Sequence, residues 1–218
     1  MNVIIACEES QRVCTAFRER GHNAFSADIQ EPSGGHPEWH IMGDVLPILN
    51  GNCKFKTMDG TEHTINGKWD LIIAHPPCTY LSNAGARHLY KGGQLNIERY
   101  QKGLEAKEFF LNFYNADCDR ICVENPIPST VYELPKYTQI IQPYMFGHPF
   151  TKRTCLWLKG LPALEPTDNV VPIATWCPSG SYSHNHGEQH KGMFTTDRAR
   201  NRSKTFEGIA RAFAEQWS

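Results

Sequence analysis

Short apolar runs alternate with amphipathic stretches from the first residues of the chain, the order expected when β-strands are each followed by a helix that packs back on a sheet. Val3 to Ala6 reads as an opening strand. Gln11 to Arg20 reads as a helix with Val13, Ala16 and Phe17 on its apolar face and Gly21 closing it. The next run, Ala24 to Ala27, ends in Asp28, and the run around Ile41 and Met42 ends in Gly43-Asp44-Val45. Alternation between Cys53 and Lys68, centred on Asp59-Gly60, predicts a β-hairpin inserted before the run that begins at Trp69. Asn96 to Asn115 is helical by spacing, with Ile97, Tyr100, Leu104 and Phe110 or Phe113 on one side. A strand is predicted over Thr154 to Leu158, after the turn-rich stretch from Phe146 to Phe150. A last helix, Thr205 to Trp217, carries Phe206, Ile209, Ala210, Phe213, Ala214 and Trp217 on one face. The pattern predicts an α/β, Rossmann-like fold with a mostly parallel central sheet flanked by helices.

Composition narrows the picture. With 218 residues, 40% of them hydrophobic, the chain can bury one substantial core. Eight cysteines, with neither a secretory segment nor a C-x-x-C pair, read as reduced thiols of a cytoplasmic protein. No run is long enough to span a membrane. A net charge of −1 gives no global attraction to a polyanion, so any such contact must be local. One basic cluster, Lys191, Arg198, Arg200, Arg202 and Lys204, is opposed in its stretch only by Asp197 and is expected to touch phosphates. Cys177, His184, His186 and His190 lie close together but fit no zinc spacing, and no metal is expected.

The candidate chemistry lies at two strand ends. Pro76-Pro77-Cys78 follows the run Trp69 to Ala74, and Glu124-Asn125-Pro126 comes 46 residues after Cys78, behind the run Ile121 to Val123. If Leu71 to Ala74 and Ile121 to Val123 are buried strands, both reactive groups emerge at carboxyl ends, where open α/β sheets bind ligands. A cysteine on a proline-stiffened turn is a thiolate nucleophile when its pKa is lowered, and a neighbouring acid can supply a proton or hydrogen bond to what it attacks. Cys122 falls inside the apolar run and is expected to pack in the core. Asp28 and Asp44, each just past a run, are placed to accept hydrogen bonds from the ribose and base of a nucleotide-like cofactor.

Taken in order, these motifs resemble those of DNA cytosine-5 methyltransferases, specifically the compact type often found in phage genomes. Ala6-Cys7-Glu8-Glu9-Ser10 corresponds to the cofactor loop, Asp28 and Gly43-Asp44-Val45 to the acidic strand ends, and Pro76-Pro77-Cys78 to the nucleophile motif. Glu124-Asn125, Lys152-Arg153-Thr154 and the helix after Thr205 complete the series, and Ser82 and Gly85 match the mobile catalytic loop. The resemblance implies S-adenosylmethionine as cofactor, held by Cys7, Glu8, Ser10, Asp28, Ile29, Asp44, Val45 and Pro77. It implies Cys78 as the nucleophile toward C6, Glu124 on N3, and either Arg153 or Lys152 on the base O2. It also implies DNA contacts from Ser82, Asn83, Gly85 and Arg87, with the target base flipped out or single-stranded.

Three departures stand out. The first loop lacks its usual glycines, Pro126 and Thr79 replace the usual neighbours of the acid and the nucleophile, and the arginine motif fits only with a slip of one position. Pro76-Pro77 also resembles the Asp-Pro-Pro-Tyr of amino-methyltransferases, but His75 and Cys78 provide neither the polar acceptor nor the stacking aromatic. The implied organisation is a catalytic core over 1–160, a small target-recognition segment over 161–202 and a returning helix over 203–218. A monomer with short or relaxed sequence recognition, phage-encoded and acting in a bacterial cytoplasm, is expected. The alternatives are the same chemistry on a free cytosine nucleotide or RNA, and a decayed module that only binds DNA.

Overall fold

A computed structural model describes residues 1–176 and 203–218. Its centre is a seven-stranded sheet built from β1 (Asn2–Ala6), β2 (Asn23–Asp28), β3 (His40–Met42), β4 (Leu71–Ala74), β5 (Ile121–Pro126), β6 (Gln139–Ile141) and β7 (Thr154–Lys159). The strand order is β6-β7-β5-β4-β1-β2-β3. All neighbouring strands pair parallel except β7, which runs antiparallel to both β5 and β6. This is the α/β, doubly wound arrangement expected from the sequence.

The central strands read as unbroken apolar runs because both faces of the sheet are covered. Alternate residues serve different cores. Ile4, Phe25, Ile72, Val123 and Trp157 point to one side, where α3 (Ile97–Tyr114) packs. Val3, Ile5, Ile73, Cys122 and Leu156 point to the other, where α1 (Arg12–Glu19) lies against α4 (Glu207–Gln216). All six residues assigned to the apolar face of the last helix are buried. The stretch read as a hairpin pairs Cys53–Lys56 antiparallel with Glu62–Ile65, and Gly60 takes the left-handed turn position (φ 89°).

The predicted face of α3 requires correction. Phe110 and Phe113 are both fully buried, but Ile97 is 69% exposed and Leu104 36% exposed. The cause is Gly103: a Cβ there would lie 2.1 Å from the Tyr132 ring, so the helix presents its bare backbone to that ring and turns Leu104 outward. The buried line therefore runs through Tyr100, Gly103, Phe110 and Phe113.

Candidate active site

Moving outward from the centre, β2 and β3 lie on one side of β1, and β4 and β5 on the other. Strand order thus reverses between β1 and β4, which places a crevice outside their carboxyl ends. The chain leaves β1 through Cys7 and Glu8 and leaves β4 through His75, Pro76, Pro77 and Cys78, and the two exits are tied by His75 N–H donating to Ala6 O (2.9 Å).

The loop after β1 makes glycine-like turns without glycines. Cys7 and Gln11 both have φ of 58°, in the left-handed region that ordinary residues seldom occupy. Gln11 is fully buried and braces the segment opposite, donating from Nε2 to His36 O (2.8 Å) and accepting at Oε1 from His36 N–H (3.0 Å). Gly34 is forced by this approach, because a Cβ there would stand 2.5 Å from Gln11 Cβ. Glu8 turns inward: its carboxylate accepts from the N–H groups of Val13 (2.6 Å) and Cys14 (3.1 Å), neutralising the positive end of α1 from beneath. Burial pushes the Glu8 pKa up, and the charge of His75 and the two N–H groups only partly offset it.

Several sequence-assigned cofactor residues take different positions from those expected. Both Glu8 carboxylate oxygens are engaged by the helix. Val45 is 4% exposed and packs in the core alongside Ile48 and Leu49, so only its backbone can reach a ligand. Ser10 is likewise buried. Asp28 and Asp44 do converge on the end of β1. The Cys7 thiol is pushed far up by burial and then by the charges of these two carboxylates, which makes it inert as a nucleophile. Ile29, immediately past β2, is 76% exposed, and Pro77 is also exposed.

The turn carrying Cys78 is pinned at many points. Ser82 N–H donates to Cys78 O (3.1 Å), and Ser82 Oγ caps the short helix α2 (Asn83–Ala86) by accepting from Gly85 N–H (3.2 Å). Gly85 must be glycine, since a Cβ would lie 2.1 Å from Thr79 O. Arg99, from the first turn of α3, donates to Thr79 O (3.2 Å) and Gly85 O (3.1 Å) and lies over the Tyr80 ring at 4.9 Å. The segment after β5 is stitched to the same turn through Asn83 N–H to Ile127 O (3.1 Å), Ser129 N–H to Leu81 O (2.7 Å) and Asn125 Nδ2 to Pro76 O (2.8 Å). Ser82 and Gly85 are thus buried parts of the loop's frame and not outward contacts, whereas Asn83 and Arg87 are exposed.

Glu124 lies on β5, opposite Leu156 of β7, and accepts at Oε2 from His75 Nδ1 at 2.8 Å. The two side chains are only 15% and 7% exposed. Burial alone would raise the Glu124 pKa, but the hydrogen bond and charge of His75, with the charge of Lys152, bring it below the usual carboxylate value. Burial would likewise lower that of His75, yet Glu124, helped by Glu8 and opposed by Lys152, holds it above the usual value. Each partner thus favours the charged form of the other. Of the two rival cations, Lys152 acts on Glu124 while Arg153 is exposed. Cys122 is fully buried, and burial followed by the charge of Glu124 pushes its thiol well up, as suits a core residue.

His75 and Arg99 were not assigned from the sequence. His75 had a signal in its place between a buried strand and Pro76-Pro77; Arg99 had none beyond its position three residues after the helix cap Asn96. Lys191, Arg198, Arg200, Arg202, Cys177, His184, His186 and His190 lie outside the described residues, and Lys204 is half-buried. Among the described residues no group of three or more His, Cys, Asp or Glu is placed to hold a metal, and no helix is long and apolar enough to cross a membrane. A surface pocket between Leu49, Leu111 and Asn115 contains none of the assigned residues.

No family model and no curated protein matches the chain. Among solved structures it is similar to a protein described as a DNA modification methyltransferase encoded within an E. coli prophage, with 14% identity, a TM-score of 0.44, and coverage of 78% of this chain and 53% of that one. It is similar to the Entamoeba histolytica methyltransferase EhMeth at 15% identity and a TM-score of 0.44, covering 78% of this chain and 57% of that one. The S. pombe Dnmt2 methyltransferase gives 14% identity and a TM-score of 0.39, with coverage of 75% and 51%. The chain spans about half the length of these structures. At such scores the residues of this chain, and not the neighbours, carry its functional reading.

Proposed function

We propose that the protein is an S-adenosylmethionine-dependent DNA cytosine-5 methyltransferase with Cys78 as nucleophile. The observation that carries this reading is the stitching of the Cys78 turn to the neighbouring Glu124 strand end, beside the switch-point crevice. Cytosine C5 is a weak nucleophile until a thiolate adds to C6; the electron pair then moves through C4 to N3, and C5 becomes enamine-like. Cys78 makes the bond to C6, and Glu124 faces N3, where stabilisation of the developing charge lowers the barrier. Lys152 is the better of the two candidates for the base O2, because its charge is felt at Glu124.

The end of β1 fits the cofactor by its donor set. Asp28 and Asp44 offer carboxylates to hydroxyl and amino groups, the exposed Ile29 offers an apolar surface to a flat base, and Pro77 walls the side toward Cys78. When bound, S-adenosylmethionine supplies an electrophilic methyl group. Asn83 and Arg87 beside the nucleophile, with the 191–204 stretch, are the proposed contacts to DNA, and phosphates are the expected partners of the latter.

The test is transfer of labelled methyl to duplex DNA, single-stranded DNA, RNA and free cytosine nucleotide, followed by digestion and mass analysis of the nucleosides. 5-Methylcytosine in DNA, lost in Cys78→Ala while cofactor binding persists, is the expected result. Substantial methylation by that variant would refute the assignment; product only on RNA or nucleotide would change the substrate class.

A further inference from the structure

An ionised carboxylate has no proton to give. Glu124 is held in that state by two cations, His75 and Lys152, so it cannot by itself protonate a ring nitrogen that gains electron density. The imidazole bonded to it, in the protonated form that the carboxylate favours, carries a mobile proton. His75 Nδ1 lies 2.8 Å from Glu124 Oε2 in a nearly closed setting, and Nε2 is buried with no hydrogen-bond partner among the described residues. Oε1 of Glu124 accepts no hydrogen bond among the described residues and is the oxygen left for a base.

We propose that His75 is the proton reserve of this site, a positioning residue that holds Glu124 and refills it each time N3 of a cytosine takes a proton. The inference rests on the reading of Cys78 as a C6 nucleophile. In the addition step the Cys78 thiolate forms the Sγ–C6 bond and the ring pair moves to N3. His75 Nδ1 first gives its proton to the Glu124 carboxylate, and the carboxyl group so formed turns to deliver that proton to N3. Glu124 ends the step ionised and His75 ends it neutral, with its remaining proton on Nε2. When Cys78 is expelled, the N3 proton returns by the same route, so the reserve is restored each cycle without exchange with bulk water. The charged groups facing His75 are Glu124 from β5, Glu8 from the loop after β1 and Lys152 just before β7. Both carboxylates favour the protonated ring and the lysine opposes it.

The linkage has a definite sign. His75 is raised above 6.5, so its proton is fully present below that pH and lost as pH rises through the raised value. Activity should therefore fall on the alkaline side as the reserve empties. His75→Asn keeps a donor toward Glu124 but has no proton to release. Its kcat should drop about 100-fold, in the range of general acid catalysis, with KM for DNA within about twofold and the alkaline limb gone from the pH profile. A purely structural role predicts rescue by asparagine, so wild-type kcat with an unaltered limb in that variant overturns the proposal. An NMR titration of the full chain gives a readout independent of turnover: the His75 midpoint should lie above 6.5 and move down in Glu124→Gln. A wild-type midpoint at or below 6.5 overturns the pairing regardless of catalysis. Wild-type protein that forms no 5-methylcytosine on any substrate overturns the underlying reading; an active wild type with an unchanged His75→Asn overturns this inference alone.

Discussion

Replacing Glu8 separates a scaffold role from a ligand role. In Glu8→Ala the N–H groups of Val13 and Cys14 lose the carboxylate that now holds both of them in the interior. Loss of a helix-capping acceptor costs about 0.5–2 kcal/mol, and stranding the second buried N–H adds about 1–3 kcal/mol. The sum is about 1.5–5 kcal/mol. For a domain of this size the midpoint moves about 2–4 °C per kcal/mol, so a fall of roughly 3–20 °C is expected. Glu8→Gln retains an acceptor of the same shape and removes the buried charge, so its loss should be about 1 kcal/mol. The raised pKa adds a pH signature. Its contribution favours the fold below the ordinary value of 4.5 and is lost as pH rises through the raised value, so the gap between wild type and the glutamine variant should narrow at higher pH. Circular-dichroism melts of the three proteins, with cofactor binding by calorimetry, make the test. If Glu8→Ala melts with the wild type but no longer binds cofactor, the capping argument fails and Glu8 returns to the crevice as a ligand.

Gly85→Ala should lower turnover by about 100-fold, the cost of displacing a catalytic group by about 1 Å, because its Cβ meets backbone at Thr79 and the whole Cys78 turn must give way; steady-state methylation at the wild-type rate would contradict the geometry. Between the two cations, Lys152→Ala should reduce kcat by about tenfold or more, on the scale of a lost electrostatic contact, while Arg153→Ala should change it less; the reverse ranking in a side-by-side assay would restore Arg153 to the base.

Much of the sheet was legible because a strand buried on both faces leaves an uninterrupted apolar run, as at Ile4, Ile72 and Val123. β6 left no such trace. Gln139 and Ile140 are only half-buried, and the strand is held by pairing with β7 and by Gln139 reaching the backbone of Leu164, contacts that periodicity cannot foresee. The phase of α3 was misread for a related reason: a buried glycine carries no hydrophobic signal, yet Gly103 fixes which side faces inward. In the candidate site, residue types and order pointed to Cys78, Glu124, Asp28 and Asp44. The partner that sets the charge of Glu124 was not legible, because His75 lies 49 residues away and meets it only across two paired strands. Glu8 was assigned by order to the cofactor, whereas the orphan N–H groups of the helix five residues on claimed it first.

The three bonds between the Cys78 turn and the chain beyond Glu124 make Cys78 and Glu124 parts of a single mechanical piece. A calliper with a locked jaw does not close on its object; the object must be brought to it. The separation of thiol and carboxylate is thus set when the chain folds, before any ligand arrives, and its ordering entropy is part of the folding free energy and not of the reaction barrier. Any motion that admits a substrate falls to the other walls of the crevice.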